Sequence, residues 1–355
     1  MSDKEKSGRI PLTAEKVTPN VFIADSKQAE EYKALFAAAL IDPNKPEPEP
    51  ETLLSLFDTP ILWRGGKAFV CGVAKSRKTT ALTILSAILM GRNESGKGFI
   101  AADGLRVLYC DTEQSRADSQ RILRRVARQT DRAASEMPFD VLSLNQLSPD
   151  QIKGVIEIAL QIRGYDVVIL DNWTDCVKSV MEEEYCATFS RQLRELAENY
   201  KVAILSVIHA NESARNDDRP NFRGWASEEA RKCDLTMFLK DMGDYSKVSF
   251  GRCRGKRPED FYVSIDAEGW PYLYTPTPAE EANADKYAEI VAKIPHTGTS
   301  YTGLCKLIKS TAKIAESTAK AWLKRMEVAG AVKKAKGMYY AESNAPKPEE
   351  EKLPF

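Results

Sequence analysis

Residues 68–80 read AFVCGVAKSRKTT, and this stretch sets the expectation for the rest of the chain. Its first residues are apolar and favour a β-strand, and Gly72 follows them directly. The loop ends at Lys78 and Thr79, after which apolar residues recur at helical spacing as far as Met90. A glycine-led loop that ends in Lys-Thr between a strand and a helix is the arrangement of a phosphate-binding loop.

The predicted loop has the groups that bind a nucleoside triphosphate. Its backbone N–H groups and the start of the next helix would face the phosphates, where the helix dipole favours negative charge. Lys78 would contact the β- and γ-phosphates, and the Thr79 hydroxyl would hold Mg²⁺. We therefore expect ATP and Mg²⁺ as ligands. The predicted nucleotide-binding residues are Gly72, Val73, Ala74, Lys75, Ser76, Arg77, Lys78, Thr79 and Thr80.

One position departs from the usual loop, because Arg77 stands where a second glycine is typical. Glycine lets the backbone bend and approach the ligand without a Cβ atom in the way. Arg77 either lays its guanidinium along the phosphates or impairs the loop, and the sequence leaves both open. A basic turn between a strand and a helix, without phosphate binding, is the alternative interpretation of the whole stretch.

The composition favours a cytoplasmic protein of two domains. The 355 residues include 51 basic and 51 acidic side chains, so the net charge is zero and a wholly basic nucleic-acid coat is disfavoured. The seven cysteines form no C-x-x-C pair, which is typical of reduced thiols rather than a zinc site or a disulfide framework. The first residues lack an apolar leader, and no apolar run approaches about 18 residues, so no membrane span is expected.

Residues 1–50 are predicted to form an N-terminal arm with one amphipathic helix and a Pro/Glu linker. The helix is expected at residues 26–39, with Ser26 as its cap and apolar side chains on one face. The following DPNKPEPEPE stretch cannot continue a helix and behaves as an extended spacer. A helix tethered in this way docks either on a neighbouring subunit or on its own domain.

From residue 51 to residue 276 strands and helices alternate, which predicts an α/β domain with a mostly parallel sheet and flanking helices. Polar residues stand where predicted strands end, at Asp111 and Glu113, at Asp171 and at His209. Ligands of open α/β sheets bind at the carboxyl ends of the strands, so these side chains should gather beside the loop. Asp171 is the second predicted Mg²⁺ ligand; an ordinary core strand ending in Asp is the alternative.

A basic C-terminal module is predicted at residues 284–343, after a linker at residues 277–283 and before a disordered tail at residues 344–355. Three helices followed by a short hairpin are the outline of a winged helix. Between residues 284 and 340 eleven Lys/Arg and four Asp/Glu give a net charge of 11 − 4 = +7, which favours DNA binding, whereas protein contacts are the alternative. The predicted DNA-binding residues are Lys313, Lys320, Lys324, Arg325, Lys333, Lys334 and Lys336.

The order of the signals, from Lys78 through the strand-end acids to a late basic hairpin, resembles the RecA-like ATPases. The resemblance is closest to the plasmid RepA and DnaB type of hexameric helicase, and it covers about residues 55–275. It implies that Glu113 polarises the attacking water, that Asp171 supports Mg²⁺ and that His209 senses the γ-phosphate.

The same resemblance implies a homo-oligomer, a hexameric ring, in which an arginine finger crosses the subunit boundary. Arg252 and Arg254 match the finger pattern, with Arg231 as a rival and a solvated hairpin tip as the ordinary alternative. Residues 223–226 are similar to an R-G-S/A-containing segment of the family. Asn172, after the strand acid, departs from the family pattern, as Arg77 does.

These observations predict an ATP-dependent, DNA-binding ATPase, of the kind that serves as a RepA-like replicative helicase or replication protein of a plasmid, phage or mobile element. The alternative is a non-motor, ATP-regulated DNA-binding regulator or helicase loader. DNA and further copies of the chain are the expected partners, and membranes are not.

Overall fold

The architecture comes from a computed structural model that describes residues 25–210, 227–277, 286–287, 289–328 and 331–341. The chain divides into two units, one ending at Glu49 and the other beginning at Pro50. None of the described helices combines the length and the apolar character needed to cross a bilayer.

In the first unit, helix α1 spans Ser26–Ala39, as predicted. The predicted cap, Ser26, is wrong, because the N-cap residue is Asp25, whose carboxylate accepts a hydrogen bond from the Gln28 N–H at 2.8 Å. None of the α1 residues is buried, and the apolar face that includes Leu35 and Phe36 is exposed.

The second unit begins with a long alternation of strands and helices. Its helices in this part are α2 (Lys78–Leu89), α3 (Arg116–Thr130), α4 (Pro149–Arg163), α5 (Glu183–Tyr200) and α6 (Ser227–Lys232). Its strands are β1 (Thr52–Leu56), β2 (Thr59–Trp63), β3 (Lys67–Gly72), β4 (Phe99–Ala101), β5 (Val107–Asp111), β6 (Phe139–Ser143), β7 (Val167–Asp171), β8 (Ala203–His209), β9 (Leu235–Asp241), β10 (Tyr245–Cys253), β11 (Phe261–Ile265) and β12 (Pro271–Tyr274).

A nine-stranded sheet organises this part of the chain, in the order β12-β11-β10-β9-β3-β8-β7-β5-β6. The six strands from β9 to β6 run parallel, whereas β10, β11 and β12 extend the sheet as an antiparallel meander. The predicted fold class, a mostly parallel α/β sheet with flanking helices, is therefore confirmed. A separate three-stranded sheet has the order β2-β1-β4.

Successive strand residues face opposite sides of the sheet and enter two different apolar cores. On one side Ala68 and Val70 of β3 pack with the apolar residues of α2 and α3. On the other side Phe69 and Cys71 pack with those of α4 and α5. Continuous apolar runs, rather than alternating ones, are what a sheet covered on both faces requires. The buried strands bring Gly72 level with His209 and Asp111 level with Asp171 at the carboxyl edge.

The C-terminal part has its own apolar core, which includes Leu304, Ile308, Trp322 and Leu323. Helical residues of α7 are 286–287 and 289–292. They are followed by α8 (Tyr301–Ala312), α9 (Glu316–Val328) and the antiparallel pair β13 (Val332–Ala335) and β14 (Met338–Ala341). This is the predicted order of elements. Because α9 begins at Glu316, Ser317 and Thr318 lie inside the helix and do not cap it as predicted.

Candidate functional site

The loop between β3 and α2 closes tightly on itself. A Cβ atom on Gly72 would lie 2.3 Å from Ser76 Oγ and 3.0 Å from the Leu239 carbonyl oxygen, so this position accepts only glycine without a shift of the loop. Lys75 and Arg77 both adopt left-handed backbone conformations, with φ of 64° and 61°. These bends turn the chain from β3 into α2, which begins at Lys78.

Lys78 lies inside the loop rather than in solvent. Its Nζ atom donates hydrogen bonds to the carbonyl oxygens of Gly72 and Val73, both at 2.9 Å. Burial lowers the pKa of the Lys78 amine, and the nearby Asp171 carboxylate opposes this effect. A cation held at the mouth of a helix and a glycine loop is the arrangement that a phosphate-binding loop requires.

The side chain of Arg77 is held by the turn between β9 and β10. Its Nη1 atom donates to Asp241 Oδ1 at 2.7 Å and to Ser246 Oγ at 3.2 Å, and its Nη2 atom donates to the Gly243 carbonyl oxygen. The guanidinium is therefore engaged within the chain and does not take the predicted position along a phosphate site. The backbone N–H of Arg77 remains as the part of this residue that a phosphate would contact.

The two carboxylates after β5 have different environments. Asp111 is buried, and its Oδ1 atom accepts from the N–H groups of Glu113 and Gln114 at 3.1 and 2.9 Å, while Oδ2 accepts from Ser119 Oγ at 2.8 Å. Asp111 thus shapes the turn that presents Glu113. The expectation that both carboxylates lie on one side of a strand is wrong, since β5 ends at Asp111.

Glu113 and His209, which are far apart in the sequence, meet at the carboxyl edge of the sheet. His209 Nε2 lies 2.9 Å from Glu113 Oε2. The hydrogen bond from His209 is the largest cause that lowers the pKa of Glu113, and the charges of His209 and Lys78 act in the same direction. Glu113 is half exposed and stays ionised, so it can accept a proton from a water molecule.

Asp171 stands at the end of β7, next to these groups, and accepts a hydrogen bond from Tyr109 Oη at 2.6 Å. Burial raises the pKa of Asp171 to about 6, and the hydrogen bond from Tyr109 opposes this rise. The sequence analysis missed Tyr109. Its signal was a phenol inside an apolar strand, because a buried tyrosine hydroxyl usually needs a polar partner.

These residues fit a nucleotide with Mg²⁺. Ser76 Oγ is buried in the loop and has no hydrogen-bond partner among the described residues, so the loop retains an unused polar group. The described residues contain no cluster of three or more His, Cys, Asp or Glu side chains suited to a metal ion. This agrees with Mg²⁺ chemistry, since Mg²⁺ usually takes one or two carboxylates, several waters and the phosphates of its substrate.

The predicted finger residues lie at the opposite edge of the sheet. Cys253, near the end of β10, pairs with Leu235, the first residue of β9, whereas Gly72 pairs with Leu239, near the end of β9. There Arg254 Nε lies 2.7 Å from Asp234 Oδ1, and Arg252 donates to the Arg231 carbonyl oxygen.

A cavity of about 590 Å³ opens at this second edge. Arg231 itself pairs with the buried Glu228. The structure therefore gathers the candidate arginines in one place but does not bring them to the phosphate loop of their own chain. The basic residues that line the cavity are Arg191, Arg194, Arg231, Lys232, Arg252 and Arg254.

A family profile described as an AAA domain matches residues 30–215, which is more than half of the chain. The chain belongs to the AAA domain family. The match includes the loop with Lys78, together with Glu113, Asp171 and His209. It identifies the chain as a P-loop protein and makes nucleotide binding its coarse function.

Two solved structures resemble this AAA domain protein in fold. One is an ATPase domain of the DnaB family, which is 10% identical, with a TM-score of 0.45, and the match covers 60% of this chain and 86% of that chain. The other, the RadB recombinase, is 15% identical, with a TM-score of 0.42, and the match covers 58% of this chain and 90% of that chain. A comparison with curated protein sequences gives no match.

Several predicted residues lie beyond the AAA domain match. Lys313 ends α8 in a left-handed conformation, and Lys320 and Lys324 are exposed on α9. Lys333, Lys334 and Lys336 belong to the β13–β14 hairpin, where Lys333 and Lys334 are exposed. The side chain of Arg325 and the segment 223–226 lie outside the described residues.

Proposed function

We propose that this AAA domain protein hydrolyses ATP and uses the reaction to act on DNA, as a RepA-like helicase or replication protein. The observation that carries the proposal is the meeting of Lys78, Asp171 and the Glu113–His209 pair at one edge of the sheet. Each of these groups has a specific task in phosphoryl transfer to water.

In the proposed reaction a water oxygen bonds to the γ-phosphorus of ATP, and the bond from that phosphorus to the ADP oxygen breaks. Glu113 accepts the proton of the attacking water, and His209 holds the Glu113 carboxylate in place. Lys78 offsets the negative charge of the β- and γ-phosphates. Thr79 and Asp171 would hold Mg²⁺, which supplies further charge neutralisation when it is bound.

We further propose that Arg254, with Arg252 beside it, completes the active site of a neighbouring copy. Two observations support this assignment. The arginines lie at the sheet edge opposite the phosphate loop of their own chain. Asp234, whose side chain is 1% exposed, pairs with Arg254 and with Arg194, so the guanidinium of Arg254 is held in a fixed position while 70% of its side chain stays exposed. A closed ring, which we propose to be hexameric, would satisfy this geometry in every copy.

The C-terminal part is proposed to be a winged helix that binds DNA. Its own apolar core, its order of elements and the exposed lysines of α9 and the β13–β14 hairpin support this assignment. Lysines on a short hairpin are suited to phosphate contacts, while a helix of this size can enter the major groove.

The test measures phosphate release from ATP by the full chain, with and without single-stranded DNA. Lys78→Ala should abolish turnover, whereas Lys201→Ala, which removes an exposed lysine from the opposite edge of the sheet, should leave it unchanged. Undiminished turnover by Lys78→Ala would overturn the proposal. Stimulation by DNA together with strand displacement would support a motor. Slow hydrolysis with site-specific duplex binding would favour the regulator or loader instead.

A further inference from the structure

The residue that replaces the second loop glycine makes a defined set of contacts outside the loop. Arg77 has φ 61° and ψ 32°, the left-handed conformation that L-residues adopt at a cost of about 1–2 kcal/mol. Its guanidinium donates to Asp241, Ser246 and the Gly243 carbonyl oxygen, all in or beside the turn that joins β9 to β10. The ion pair is partly buried, with side-chain exposures of 21% for Arg77 and 18% for Asp241.

We infer that Arg77 is a positioning residue, which fixes the bend of the phosphate loop by tethering it to the β9–β10 turn through Asp241. This inference rests on the proposed function, since it assigns a role in nucleotide binding. In the usual loop, glycine permits the bend because it lacks a Cβ atom. In this chain the bend is held instead by a charged contact outside the loop.

The chemistry of the turn supports a tether rather than a chance contact. A planar guanidinium that reaches a carboxylate, a hydroxyl and a carbonyl oxygen is fixed in orientation as well as in position. Asp241 Oδ1 also accepts from the Gly243 N–H at 3.0 Å, so the same oxygen shapes the turn and receives Arg77. Because charge-assisted hydrogen bonds at a partly buried site are stronger than exposed ones, the loop should be pre-organised for phosphates.

The tether also explains why an arginine in this loop is compatible with phosphate binding. A guanidinium committed to Asp241 leaves the space over the loop to Lys78, whose amine is held by the Gly72 and Val73 carbonyl oxygens. The backbone N–H groups of the loop then face the ligand as they do in a glycine loop.

The test uses three variants of the full chain: Arg77→Gly, Asp241→Asn and the double variant. Asn at position 241 keeps a carbonyl oxygen for the Gly243 N–H and removes only the charge, so it tests the ion pair with little change in the turn. Lys75→Gly is the matched control, because it relieves the same left-handed backbone in the same loop, at φ 64°, with an exposed side chain. The two readouts are the dissociation constant of a fluorescent ATP analogue and the unfolding temperature without nucleotide.

Each single variant should weaken binding of the analogue roughly tenfold, and the double variant should be no weaker than Arg77→Gly, because all three break one contact. Lys75→Gly should change the dissociation constant by less than about threefold. In steady-state turnover the Michaelis constant should rise more than the maximal rate falls, since the loop contacts bound nucleotide before and during the reaction.

Three results would overturn the inference. The first is wild-type affinity in Asp241→Asn together with weakened binding in Arg77→Gly, which would make Arg77 a direct phosphate ligand. The second is strictly additive losses in the double variant. The third is a lowered unfolding temperature with unchanged affinity, which would make the contact structural only. Failure of the wild-type chain itself to bind the analogue would instead overturn the proposed function.

Discussion

Asp111 and Glu113 are two residues apart, yet the fold gives them different work. Both oxygens of Asp111 already accept hydrogen bonds from Glu113, Gln114 and Ser119, so this carboxylate is committed to shaping the turn. Glu113 faces His209 and has a lowered pKa because of that contact. The assignment of the general base therefore follows from hydrogen-bond partners rather than from spacing in the sequence.

Glu113→Gln should slow ATP hydrolysis by about 10²–10⁴-fold, the usual contribution of a positioned general base, while ATP still binds. Single-turnover phosphate release and filter binding measure the two effects separately. Glu136→Gln, at an exposed position before β6, is the matched control and should behave as the wild type. Loss of turnover in a folded Asp111→Asn variant, with normal turnover in Glu113→Gln, would show that Asp111 is the base.

At the same scale, the sequence predicted residue types better than partners. The loop, its lysine and the strand-end acids follow from short motifs and from apolar runs. The pairs Tyr109–Asp171 and Arg77–Asp241 do not, because they join residues 62 and 164 positions apart. Only the strand order decides which distant residues meet, and the order is weakly constrained by the sequence, since many orders bury the same apolar runs.

At the scale of elements, β3 and α6 are joined by an ion pair inside the protein. Lys67 Nζ donates to Glu229 Oε2 and to the Ser190 carbonyl oxygen, each at 2.9 Å, and both charged side chains are completely buried. Periodicity alone did not reveal this contact, because Lys67 begins a strand and Glu229 lies on a short polar helix. A buried pair of this kind makes each element depend on the other.

Glu229→Ala should lower the free energy of unfolding by about 3–5 kcal/mol, because it leaves the Lys67 charge buried without a partner. Urea unfolding of the nucleotide-free protein measures the loss. The double variant Lys67→Met with Glu229→Leu should lose less than Glu229→Ala, since apolar residues of similar size fill the site without a charge. A single variant as stable as the wild type would contradict this account of the contact.

The exposed lysines of the β13–β14 hairpin give a prediction for the C-terminal elements. In the full chain, replacing Lys333 and Lys334 together by alanine should weaken binding of duplex DNA and lower the salt slope by about 2, one for each lost phosphate contact. Fluorescence anisotropy at several salt concentrations measures the slope. Replacing Lys27 and Lys33 of α1 is the control, with the same loss of charge. An unchanged slope in the hairpin variant would favour protein contacts for this module.

At the scale of the whole molecule, the separation of loop and arginines predicts complementation between two inactive chains. Arg254→Ala should bind ATP but lose most of its hydrolysis, because an arginine finger contributes about 10³–10⁵-fold to the rate. Lys78→Ala has the finger but not the loop. When the two proteins co-assemble, part of the activity should return, as measured by phosphate release from the mixture. Demonstrated co-assembly without any regained activity would show that Arg254 does not act across a subunit boundary.

Strand β10 passes from the turn that holds Arg77 at one edge of the sheet to Arg252 near the other edge. With Arg254 as the finger, this course has a consequence for the reaction order. A single chain cannot bring its own arginine to its own nucleotide, so hydrolysis requires an encounter between chains. The turnover of each chain should then fall on dilution, and the observed rate should rise faster than linearly with protein concentration until assembly is complete.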